Sequence, residues 1–143
     1  MSWADVFSGL AAWTITGVTM RDLDEIPEVA AAADCPMMFP VPRGFYGSRG
    51  EPQGFTTGKI EDSMVVDHIC LYKPQGLGMG AREIYPALIA LMDLYVSELA
   101  GDPTVGGYCS QKAVILDKEF PLVDWAGRKY WGFQYVLRLT LRL

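Results

Sequence analysis

The sequence predicts an α+β fold: a mostly antiparallel or mixed sheet, two helices packed on one of its faces, and a long glycine-rich loop or hairpin arm. Three patterns carry this expectation. Trp3, Val6, Phe7, Leu10 and Trp13 recur at helical spacing, and Ile84, Leu88, Leu91, Met92, Tyr95 and Leu99 do so again. From Trp131 the chain switches to strand period, with Trp131, Phe133, Tyr135, Leu137, Leu139, Leu141 and Leu143 on one side. Two helices on one sheet face is the simplest architecture that buries all three stripes. At 143 residues the chain is one domain's worth, read here as a single domain over 1–143 without internal repeats. A chain this long buries a core without needing a metal or disulfide.

Taken in order, Ser2 followed by Asp5 is a capping-box pattern that opens a helix over 2–16, closed by Gly17. Val18–Leu23 is a short strand. Met37–Val41 is another, pinned between Pro36 and Pro40/Pro42 and therefore suited to a sheet edge. Residues 43–58, RGFYGSRGEPQGFTTG, form the arm. Glu61–Tyr72 is β-branched and aromatic, a central strand. Ala81–Ala100 is the second helix, with Gly101 just past its end and Pro103 forbidding continuation. Pro86 costs least if the first helical turn lies near Tyr85. A strand around Ala113–Leu116, a loop over 118–128 and the final strand Tyr130–Leu143 complete the order. On that last strand Gly132, Gln134, Val136, Arg138, Thr140 and Arg142 make a wet or partner-facing side.

Twelve Lys and Arg against 17 Asp and Glu leave a net charge of −5. That balance excludes a domain built to grip nucleic acid or an acidic membrane, both of which need a basic footprint. Half the residues are apolar, only 20% are charged, and mean hydropathy is +0.15. Disorder is excluded, and the surface is expected to be stickier than a monomer usually carries. MSWADVF has Asp5 where a secretory signal is basic, and the longest charge-free stretch, Val6 to Met20, is too short and polar to span a bilayer. The expectation is a soluble protein made in the cytosol.

Cys35, Cys70 and Cys109 are an odd number with no C-x-x-C, so they read as reduced, packed thiols. His68 and Cys70 point to the same face of one strand as packed residues, since no further ligands sit at zinc spacing. His68 is the only histidine, so Cys35 and Cys109 lack a base. Gly76-Leu77-Gly78-Met79-Gly80-Ala81 fits the dinucleotide pattern G-x-G-x-x-G/A between a strand and a helix. Against it stand Lys73-Pro74-Gln75 before the first glycine, Asp93 and Glu98 placed inside the helix, and a single strand–helix–strand unit. A small nucleotide-binding enzyme using this turn is the weaker reading. No catalytic set, cofactor site or metal cluster is assembled, which points to a structural part and not a catalyst.

Thirteen residues from Trp131 to Leu143 would span about 40 Å extended, against a diameter of roughly 37 Å for a compact domain of this size. The strand is thus expected to cross the molecule and protrude, unless it bends and is covered within its own chain. A protruding apolar end needs shelter, and a closed ring of identical copies supplies it without open polymerisation. Leu139, Leu141 and Leu143 are the expected contacts there. Arg43, Phe45, Tyr46, Arg49 and Phe55 in the arm have the composition that enriches interfaces.

The helix ending in Gly17-Val18, the passage Leu23…Ile26-Pro27…Ala33-Asp34-Cys35-Pro36, the glycine-rich arm, the His68 strand, the helix with Tyr85-Pro86-Ala87-Leu88 and the close Tyr130-Trp131-Gly132-Phe133-Gln134-Tyr135-Val136-Leu137 follow one another in order. This succession resembles the tail terminator (tail completion) proteins of long-tailed bacteriophages, the lambda minor tail protein U group, over nearly the whole chain. The resemblance implies a virion subunit, made in the host cytoplasm, that assembles as a hexameric ring. The ring caps the tail tube and joins it to a neck or head-completion protein. DNA passes through its lumen without specific binding, and no cofactor or membrane is involved. A different neck component or a tube subunit is the near alternative.

Overall fold

The computed structural model describes residues 2–45, 61–76 and 80–142; the side chain of Phe45 falls outside that set. The elements are α1 (Trp3–Ala11), β1 (Thr19–Met20), β2 (Met37–Phe45), β3 (Glu61–Pro74), α2 (Ala81–Gly101), β4 (Val114–Glu119), β5 (Leu122–Trp125) and β6 (Arg128–Arg142). They build the expected α+β fold, with a six-stranded mixed sheet ordered β1-β2-β3-β6-β4 and β5 beside the start of β6. Among the described residues only β1 and β2 pair in parallel.

Both helices cover the same sheet face. Val6, Phe7 and Leu10 of α1 and Ile84, Leu88, Tyr95 and Leu99 of α2 share one core with Met64, Val66 and Cys70 of β3 and Phe133, Tyr135, Leu137, Leu139 and Leu141 of β6. The opposite face carries a smaller core in which Met37, Phe39, Ile69, Leu71, Val123 and Tyr130 pack around Ala30. The segment before β2 is tied down there. The Tyr130 hydroxyl donates to the Ala30 carbonyl at 3.0 Å, and Trp125 Nε1–H donates to the Pro27 carbonyl at 2.9 Å.

Several boundaries differ from expectation, each for a local reason. The capping box forms as read: Ser2 accepts from the Asp5 backbone N–H and Asp5 accepts in return. Yet α1 stops at Ala11, ahead of the β-branched run Thr14-Ile15-Thr16, which loses rotamer freedom in a helix. The strand expected over 18–23 shrinks to Thr19–Met20, because Asp22 and Glu25 cap a short 3₁₀ turn instead. Strand β2 runs on to Phe45 through Pro40 and Pro42. Its neighbour β1 pairs only with Met37 and Met38, so the missing N–H groups of those prolines deprive no described strand of a ladder bond. Helix α2 begins at Ala81, which places Pro86 inside it and not at its first turn.

Strand β5, expected as loop, is a finding of the structure. It forms a hairpin with β6 across Ala126 and Gly127, both at positive φ (52° and 75°), the geometry of a two-residue type I′ turn. Alanine in the first of these positions hides the signal that Asn or Asp would give.

The largest correction concerns β6. It is the central strand, paired with β3 along one side and with β4 and β5 along the other. Its end does not protrude: β3, of nearly equal length, accompanies it to the Glu61–Arg142 pair. Leu139 and Leu141 are fully buried in the chain's own core. Val136 and Thr140, on the side expected to be wet, are buried as well. Ser110 closes over the end, its backbone N–H donating to the Thr140 carbonyl at 2.9 Å. Leu139 and Leu141 are therefore core residues and not partner contacts, and the alternative of a strand covered within its own chain is the one found.

Candidate self-association surface

The apolar surface that the sequence placed at the end of β6 lies elsewhere, along α2 and β4. Helix α2 buries Ile84, Leu88, Tyr95 and Leu99 against the sheet. A second stripe, Tyr85, Ile89, Met92 and Val96, recurs at i, i+4, i+7 and i+11 and so forms a face of its own beside the buried one. Tyr85, Ile89 and Val96 are 40%, 51% and 43% exposed. By length and composition α2 is apolar enough to cross a membrane. The two stripes account for that: one packs on the sheet, and Tyr85, Ile89 and Val96 of the other are left open while Met92 leans on the core.

Strand β4 is the sheet's terminal strand, and every one of its six residues is exposed. Val114, Ile115 and Leu116 head it. Ile115 pairs with Leu137 and Lys118 with Tyr135, which aims both toward the helix-covered face, while Leu116 is the extra residue where the ladder shifts register. Val96 of α2, Tyr135 of β6 and Ile115, Leu116, Asp117 and Lys118 of β4 enclose a groove of about 460 Å³. At its far end the Tyr85 and Phe120 rings meet at 5.7 Å and continue the apolar surface. Apolar side chains beside an unpaired strand edge form a template for another chain.

A second groove of about 380 Å³ lies between α1 and the end of α2, lined by Ser8, Trp13, Glu98, Asp102 and Tyr108 among others. Its Asp102 carboxylate already accepts from Trp13 Nε1–H at 2.9 Å and from the Gly106 backbone N–H. That carboxylate ties the 102–106 loop to α1.

His68 and Cys70 do share a face of β3, and both are buried. His68 Nδ1 meets the Tyr95 hydroxyl at 3.0 Å, and Trp13 and Tyr95 pack their rings around the imidazole. Burial alone holds the His68 pKa down to about 3 and pushes Tyr95 well above its usual value, with the Tyr135 hydroxyl adding to the latter. Both partners are neutral at ordinary pH. Burial also raises the Cys70 thiol, and pushes Cys109 up to about 11 with Asp102 assisting. These thiols carry no thiolate near neutrality. No group of His, Cys, Asp or Glu able to hold a metal occurs among the described residues.

The residues named from sequence fare unevenly. Arg43 sits exposed on β2 with its guanidinium 2.9 Å from the Asp67 carboxylate. The Phe45 backbone ends β2. Tyr46, Arg49, Phe55 and Leu143 lie outside the described residues, as does the middle of the glycine turn, Leu77 to Met79. The strand before that turn, β3, pairs antiparallel with both its neighbours, unlike the first strand of a dinucleotide fold.

Sequence reading missed Tyr85, Ile89, Val96, Val114, Ile115 and Phe120. The signal was present in α2, whose apolar positions fill more than one helical stripe. No protein-family model and no curated protein matches the chain.

Proposed function

We propose that this protein is a structural subunit whose identical copies close into a ring, the tail terminator of a long-tailed bacteriophage. By its resemblance to that family the ring is a hexamer. It caps the finished tail tube, contacts the tube protein below and a neck or head-completion protein above, and lets DNA through its bore. The observation that carries the reading is the open β4 edge with Val114, Ile115 and Leu116 exposed beside the Tyr85–Val96 stripe of α2. A solitary subunit gains nothing from such a surface, whereas a ring buries it without leaving an end to polymerise. The succession of elements supports the same reading, including segment 46–60 strung between the antiparallel pair β2 and β3. A net charge of −5 suits a lumen through which DNA slides without sticking.

Negative-stain microscopy and native mass spectrometry of the purified protein test the proposal. A single closed ring that stops growing, and that binds the end of purified tail tubes, is the expected result. Long hollow cylinders would identify a tube subunit, and rings indifferent to tube ends would identify another neck component. A monomer at tens of micromolar would end the ring reading altogether.

A further inference from the structure

The sheet has two lateral edges, and they are unequal. At one, β1 covers Met37 and Met38, and beyond it Pro40 and Pro42 offer no N–H to a neighbour. At the other, β4 is unpaired along its outer side among the described residues. A sheet with one open edge can pair edge to edge only with the same edge of a second copy, and that contact is two-fold and closes at two. A ring needs a head-to-tail contact, in which the β4 edge receives something other than β4.

Segment 46–60 is the piece of this chain that fits. It leaves β2 after Phe45 and rejoins the sheet at Glu61 of β3, which is separated from β4 only by β6 and accepts from the Gln111 side chain just ahead of β4 at 3.4 Å. Its sequence, YGSRGEPQGFTTGKI, contains Tyr46, Phe55 and Ile60 for an apolar groove, and Phe55-Thr56-Thr57, residues at home in a strand. Its charges, Arg49 and Lys59 against Glu51, sum to +1, while those of β4, Lys118 against Asp117 and Glu119, sum to −1. The segment and the groove are matched in apolar content, and the segment and β4 are opposite in charge.

We infer that segment 46–60 of each copy docks along the β4 edge and the α2–β4 groove of the next copy, closing the ring by strand addition. This rests on the ring reading above and specifies its contact. Each subunit then presents one donor and one acceptor, and a closed circle leaves neither unused.

Two variants separate the halves. In one, Ile115→Asp with Leu116→Asp spoils the acceptor; in the other, residues 47–58 are replaced by a short glycine–serine linker. Native mass spectrometry is expected to find each alone as a monomer that melts like the intact chain's subunit. Mixed in equal amounts they should form a 1:1 complex that grows no further, since each retains one working half. An arm-replaced chain that still forms the full ring would overturn the inference while leaving the ring intact; a wild-type chain without a ring would instead remove the reading beneath it. In otherwise intact chains, Phe55→Cys mixed with Leu116→Cys should yield a mixed disulfide on mild oxidation. Efficient crosslinking of Leu116→Cys to itself alone would show β4-to-β4 pairing and overturn the inference as well.

Discussion

The His68 ring and the Tyr95 hydroxyl meet at 3.0 Å in the middle of the helix-covered face, one supplied by β3 and the other by α2. Tyr95 also stacks on Tyr135 of β6 with ring centroids 4.5 Å apart. One polar contact and one aromatic stack thus join the longest helix to the two central strands.

The burial of His68 there makes stability pH-dependent with a definite sign. The folded His68 pKa, held to about 3 by burial, lies below the 6.5 of a free imidazole. The unfolded chain therefore binds a proton that the folded chain refuses, so stability is full above pH 6.5 and falls as pH drops from 6.5 toward 3. Urea melts at pH 7.5 and 5.0 should differ by about 2 kcal/mol on this account. His68→Gln should flatten that slope; an equally steep slope in the variant would place the titrating group elsewhere.

Gly132 allows β6 to pass close to β3. A Cβ there would run into the Cys70 carbonyl oxygen, a backbone atom that cannot swing away. Gly132→Ala should cost about 3 kcal/mol or prevent folding. Gly101→Ala, at the open end of α2, meets nothing and should be neutral or stabilising by about 0.5–1 kcal/mol in thermal melts.

Leu141→Asp and Leu116→Asp separate folding from association. Leu141 is fully buried, so a carboxylate there should unfold the subunit at a cost of about 4 kcal/mol or more. Leu116 is 43% exposed, and its replacement should leave the subunit's stability within about 0.5 kcal/mol while the assembly mass falls. Circular dichroism and native mass spectrometry on the same samples read both quantities. A folded Leu141→Asp monomer would contradict the placement of β6.

Ala126 holds φ 52° in the β5–β6 turn, a conformation that costs a residue with a Cβ. Ala126→Asn should stabilise the hairpin by about 0.5 kcal/mol, read as a small rise in melting temperature. A fall would mean that the Ala126 methyl makes a contact of its own.

The fold class was legible because its signals are periodic and local. The buried positions of α1 and α2 follow from helical spacing, β3 was legible as a central strand from its β-branched and aromatic content, and the odd-numbered residues of β6 do face the helices. Strand β5 was hidden because four residues, Leu122–Trp125, are too few to show a period and their turn opens with alanine. The surface was misplaced for a different reason. Spacing shows that Leu139 and Leu141 share a face, but only the pairing of β6 between β3 and β4 shows that the same chain covers them. Ile115 and Leu116 sit in an equally apolar run, and it is their place at the end of the strand order that leaves them open. Periodicity reports which residues want cover; topology decides which of them receive it.

The position of β6 also bears on the order of assembly during synthesis. Strands β3 and β4 run in the same direction and are not paired with each other; β6, which follows both in the chain, is the strand that bridges them. A nascent chain interrupted before Arg128 can zip β1, β2 and β3 together but has no ladder for β4 or β5. Until β6 threads between its neighbours, the core of α1, α2 and β3 lacks Phe133, Tyr135, Leu137, Leu139 and Leu141, and the contacts that close the sheet are distant in sequence and slow to form. Until β6 arrives between them, the sheet of this protein exists only as two separate halves.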